Sequence, residues 1–83
     1  MNSSEIVKKA QQDFTTFSKM PICTVTGLSK TAEGWIVSME ALERRAIPET
    51  MDILGLYEIC LDNEGNFLGF DRKKLRKRGE TAE

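Results

Sequence analysis

Gly34-Trp35-Ile36-Val37-Ser38-Met39-Glu40-Ala41-Leu42 is the stretch on which the fold turns. Trp35, Val37, Met39 and Ala41 share one parity, and Ile36, Ser38, Glu40 and Leu42 share the other. This period of two sends alternate side chains to opposite faces of a β-strand. The first set is the expected core face, and Trp35 reads as a core aromatic. The second set is more apolar than a solvated exterior, because Ile36 and Leu42 stand where polar groups belong.

Upstream, Lys30-Thr-Ala-Glu-Gly34 has turn composition, and Ile22 to Leu28 is short, β-branched and strand-like. Pro21 separates that strand from a segment of different period, since proline biases the residue before it away from helical dihedrals. Ile6, Ala10, Phe14 and Phe17 recur at spacings of four, four and three, one stripe of an amphipathic helix. Asn2 or Ser3 suits the N-cap, and Glu5 stands in capping-box relation to Asn2.

Downstream, Glu43 to Met51 contains Arg44, Arg45 and Pro48 and reads as a bend or long connection. Asp52 to Asp62 alternates again, with Ile53, Tyr57, Ile59 and Leu61 on one parity and Leu54, Leu56 and Cys60 on the other. Asp62-Asn-Glu-Gly-Asn66 is a strong turn signal, with Gly65 available for positive φ. A last strand begins at Phe67, with Gly69 a bulge or close-packing point, and residues 79–83 read as a frayed end. The expected architecture is α+β: one N-terminal helix, about 4–18, packed on a four-stranded antiparallel meander sheet. The strands are expected at about 22–29, 35–44, 52–62 and 66–73, in a single domain over residues 1–83. The helix covers one sheet face. Ile36, Leu42, Leu54 and Leu56 would line an open apolar face of the kind that marks a partner surface.

Eighty-three residues leave room for one domain with a thin core. There is no histidine, which removes the commonest general base and metal ligand together. Glu40 and Glu58, on neighbouring strands, read as solvated or arginine-paired rather than catalytic. No phosphate-cradling glycine loop appears, and Cys23 and Cys60 lack metal spacing, so an enzyme with a cofactor or metal is not expected. The two cysteines read as buried free thiols. No apolar run reaches membrane-span length and the first residues lack a signal-peptide pattern, so a soluble intracellular protein is the expectation.

The net charge of −1 hides a split. Arg72, Lys73, Lys74, Arg76, Lys77 and Arg78 are half of the twelve basic residues, whereas residues 1–71 carry a net −5. This basic C-terminal segment, 72–78, is suited to phosphate, an anionic surface or an acidic protein. An acidic body and the lack of interleaved aromatics argue against nucleic acid, although a small nucleic-acid-binding or regulatory module remains the alternative reading. An acidic protein partner fits the split better.

The run Gly34-Trp-Ile-Val-Ser-Met-Glu-Ala-Leu-Glu-Arg-Arg-Ala-Ile-Pro48, then Asp52-Ile-Leu-Gly-Leu-Tyr-Glu58, resembles the gas vesicle protein O family. That pattern has a Gly-Trp start, an alternating strand ending in Glu40, and a basic-Ile-Pro segment. An Asp-Ile-Leu strand with Tyr57-Glu58, an acidic turn at Gly65 and a Gly69-Phe-Asp-Arg72 close follow. Phe70 stands where the family usually has Tyr. The resemblance covers about residues 5–78. It implies a non-enzymatic accessory protein for gas vesicle formation, without a small-molecule substrate. It would be cytoplasmic or vesicle-associated and would contact other gas vesicle proteins. A homodimer would also add burial to so thin a sheet.

Overall fold

The computed structural model describes residues 2–79. Helix α1 spans Ser3–Ser18. Asn2 caps it: its side chain accepts from the Glu5 N–H at 2.9 Å, and the Glu5 carboxylate accepts from the Asn2 N–H at 2.9 Å. The expected capping box is thus formed, and two of the amide donors that a helix start leaves without partners are satisfied. The helix ends at Lys19, whose φ of 61° is left-handed.

Four strands follow: β1 Ile22–Lys30, β2 Gly34–Arg44, β3 Ile53–Asp62 and β4 Phe67–Lys77. They pair antiparallel in the order β1-β2-β3-β4, the meander expected from hairpin spacing. A short 3-10 turn, Glu49–Met51, lies between β2 and β3. The basic run is not a tail. It forms the outer half of β4, paired with β3 as far as Lys77 opposite Ile53, so the last strand extends beyond the expected 73. Closely spaced cations are tolerated there because β4 is an edge strand and its side chains have water on one side. The C-terminal residues 80–83 of the expected frayed end lie outside the described residues.

Register sorts the side chains by face, because directly opposed residues share one. Val37 faces Ile59, Met39 faces Tyr57 and Ala41 faces Gly55 on the helix side. Ile6, Ala10 and Phe14 of α1 bury completely against Val37, Met39, Ile59 and Leu61. Phe14 is the central wedge, with its ring 5.0 Å from Tyr57 and 5.2 Å, edge-on, from Phe70. Burying a side chain of that size contributes about 2–3 kcal/mol. Two expected core aromatics sit at its margin instead. Phe17, in the last helical turn, is 61% exposed and stacks on Phe67 with ring centres 4.8 Å apart. Trp35 is half-buried, with the Lys30 ammonium 5.3 Å from its ring.

The far face corrects another expectation. Leu42 lies opposite Leu54 there, yet Leu54 is only 2% exposed, and Ile36 and Leu56 are half-buried. No helix covers this face among the described residues; arginine side chains do. Arg76 is the cross-strand neighbour of Leu54 on β4, while its head group reaches Glu40 on β2. Its stem therefore crosses β3 between Leu54 and Leu56, a span of about two strand spacings, ~10 Å. Arg78 extends from the end of β4 to Asp52 and towards the Cys23 sulfur, 4.0 Å away on β1. Long basic side chains lay their methylenes on apolar surface while the charged ends stay solvated or paired.

Candidate partner surface

Four of the six cations in the basic segment are turned back onto this chain's own acids. Arg76 grips Glu40 with two bonds, Nε to Oε2 at 2.6 Å and Nη2 to Oε1 at 2.9 Å. Arg72 reaches Glu43 at 3.4 Å, Lys73 reaches Glu58 at 3.8 Å, and Arg78 reaches Asp52 at 3.2 Å. The acidic body and the basic segment therefore largely neutralise each other within one molecule. Glu40 and Glu58 are not opposed: Glu40 stands across from Leu56, and Glu58 from Ser38. Hydrogen bonding to Arg76 holds the Glu40 carboxyl below the usual carboxylate range, against the opposing effect of burial. Lys73, Lys74 and Lys77 are exposed residues of edge strand β4, with Lys74 opposite Leu56 and Lys77 opposite Ile53.

Several of the motif positions make close contacts within the fold. Asp52 is 5% exposed and ties three pieces of chain together. Its Oδ1 accepts from the Ala46 N–H at 2.6 Å, its Oδ2 from Arg78, and its carbonyl from the Arg78 N–H at 2.8 Å. The loop holding Pro48, which follows a cis peptide bond, is thereby fastened to the end of β4. Gly65 has φ 87° in the β3–β4 turn, where Asp62 accepts from the Glu64 and Asn66 amides at 2.9 and 2.8 Å. Gly34 is buried against β3 so closely that a Cβ would sit on the Leu61 carbonyl and 2.7 Å from the Asp62 Cα. Gly69 neighbours the register shift at the start of β4, with open space where a Cβ would be.

Tyr57 is buried in the aromatic cluster, and its hydroxyl lies 3.8 Å from the Met20 sulfur. Burial first, and the Glu43 carboxylate second, push its ionisation above the ordinary value. The cysteines are both free, but Cys23 is exposed and Cys60 half-buried, so the expected burial does not hold for Cys23. Cys23 falls at a register shift of edge strand β1, which turns its thiol outward.

Several exposed apolar groups went unanticipated. Ile47 is fully exposed, Met51 is 43% exposed and Leu75 is 48% exposed. Periodicity does not reveal the first two, because loop residues have none; an isoleucine beside proline in an otherwise polar connection is the only hint. Leu75 was hidden within the charge run. Among the described residues no three potential metal-binding side chains cluster, and no helix is long and apolar enough to cross a membrane.

The family model described as "Gas vesicle synthesis protein GvpO" matches residues 1–82. The chain belongs to this family. It is 43% identical over 51 residues to gas vesicle protein O1 of Halobacterium salinarum, covering 61% of this chain and 43% of that protein. Against gas vesicle protein O of Haloferax mediterranei it is 41% identical over 51 residues, 61% of this chain and 36% of the relative. The Streptomyces sp. gas vesicle protein O is 34% identical over 58 residues, 70% of this chain and 45% of the relative. The chain thus spans less than half the length of these curated relatives. No solved structure matches it.

Proposed function

We propose that this member of the gas vesicle protein O family is a non-enzymatic accessory factor in gas vesicle formation. It works in the cytoplasm through contacts with shell or other accessory proteins, and self-association is one form such contacts take. Family membership is the observation that carries the reading. The exposed side chains of Lys74 and Lys77 on an edge strand support protein contact, since that edge attracts acidic surfaces and repels other basic edges. Leu56, half-buried, shares the far sheet face with Lys74, its cross-strand neighbour.

Deleting the gene in a vesicle-forming host and restoring it on a plasmid tests the role. Loss and recovery of vesicles, seen by electron microscopy, is expected; normal vesicles in the deletion strain would overturn the reading. Affinity capture with the other vesicle proteins tests the contacts, and recovery should fall as salt rises. If the purified chain instead bound DNA at physiological salt and lost that affinity with the basic segment mutated, the nucleic-acid reading would replace this one.

A further inference from the structure

The geometry points to the sheet end formed by the β2–β3 loop and the last residues of β4 as a docking site for an acidic, apolar segment of a protein partner. This rests on the accessory-factor reading and gives its contact a place that neither the far sheet face nor the basic run alone supplies.

The site has a knob and a groove. Ile47 is the knob, fully exposed although aliphatic, and Met51, exposed as well, follows in the same connection. The knob is fastened rather than trailing, because Asp52 binds the Ala46 amide, the Met51 N–H donates to the Pro48 carbonyl at 2.9 Å, and the Gly79 N–H donates to the Thr50 carbonyl at 2.9 Å. A held apolar side chain loses little freedom on binding, which is what makes such groups effective anchors. The groove lies at the same end of the sheet, lined by Ile53 and Leu75 with Glu43, Arg44 and Lys77 around them. Gly55, opposite Leu75, is covered on the helix side by the Glu43 carboxylate, which closes that flank of the groove.

Charge selects the occupant. Arg44 and Arg45 are exposed beside the knob, and Lys77 is exposed beside the groove, so an acidic segment is attracted and a basic one repelled. Glu43, the one acid lining the groove, is turned inward: its Oε1 is engaged by Arg72 and its Oε2 is buried over Gly55, so the charges an incoming segment meets are those of the basic side chains. Nucleic acid would need stacking aromatics, and this end presents aliphatic side chains.

Amide NMR titration of the full, isotope-labelled chain tests the site. The probe is a short synthetic peptide of Glu, Leu and Ala, with a Lys-for-Glu peptide, a single-stranded DNA oligonucleotide and phosphatidylserine vesicles as the other arms. The acidic peptide should shift the amides of residues 44–53 and 75–79. Its affinity should fall about tenfold or more in Ile47→Asp and again in Arg45→Glu, two exposed positions where the fold should persist. Retained dispersion of the core amides checks that persistence. The proposal is overturned if the peptide shifts other regions or none, if the Lys peptide binds equally well, or if only DNA or vesicles bind this end. A host that needs the gene for vesicles but yields no peptide binding sinks the site alone. A host that forms vesicles without the gene sinks the accessory reading, whatever the titration shows.

Discussion

Arg76 on β4 and Glu40 on β2 are joined by a two-bond fork, at 2.6 and 2.9 Å, that passes over the intervening strand β3. The pair ties together two strands that share no backbone hydrogen bonds and lays an aliphatic cover beside Leu54. Charge-assisted, bidentate bonds of this kind are the stronger class of polar contact. Their partial burial means that losing one partner leaves the other charge poorly solvated.

Arg76→Ala should therefore lower stability by about 1–3 kcal/mol at neutral pH, read from the urea midpoint. The pH dependence follows from the Glu40 carboxyl, whose folded pKa lies below its ordinary 4.5. Stability from such a group is present above the unfolded pKa and is lost as pH falls through the folded one. The gap between the native chain and Glu40→Gln should be full at pH 7 and shrink below 4.5. A gap that stayed constant down to strongly acid pH would contradict the assignment.

Asp52 holds the Ala46 amide and the Arg78 guanidinium from a buried position. Asp52→Ala leaves the half-buried Ala46 N–H without its acceptor, at a cost of about 1–2 kcal/mol. Hydrogen exchange localises the effect: the amides of Ala46 and Gly79 should lose protection, while those of Val37 and Ile59 change only with global stability. Uniform loss across the chain would mean that Asp52 acts elsewhere.

Gly34→Ala places a methyl group on the Leu61 carbonyl and 2.7 Å from the Asp62 Cα, both backbone atoms with no rotamer to yield. The strands must separate at that turn, and a loss of about 2–4 kcal/mol is expected. Gly69→Ala is the control, since open space surrounds that position. Thermal unfolding of the two variants should differ by many degrees; equal melting temperatures would refute the close approach.

Tyr57 should ionise above its ordinary 10.0, because burial and the neighbouring Glu43 carboxylate both disfavour the phenolate. Ultraviolet titration of this sole tyrosine reads the shift directly. A raised folded pKa means that stability is kept below the unfolded value and lost as pH climbs through the folded one. Tyr57→Phe should accordingly flatten the alkaline fall in stability, and an unchanged alkaline limb would count against it.

The sequence by itself determined the order of elements and the helix-side core. The spacing of Ile6, Ala10 and Phe14 and the alternation through Val37, Met39 and Ala41 are local patterns, and each has one low-energy solution against the other. The Asn2–Glu5 cap and the Gly65 turn were legible for the same reason, since their partners lie within four residues. Tertiary structure alone decided what the charges do. Residues 72–78 look like a free basic segment until β4 pairs with β3, which brings Arg72, Lys73, Arg76 and Arg78 beside acids 29, 15, 36 and 26 positions away. That pairing also covered part of the apolar face expected to stay open, because arginine stems lie over Leu54 while Ile36 and Leu56 stay half-buried. Ile47, Met51 and Leu75 were left exposed at one end of the sheet, where loop and strand terminus meet. No local period encodes that meeting, for it depends on contacts between segments far apart in the chain.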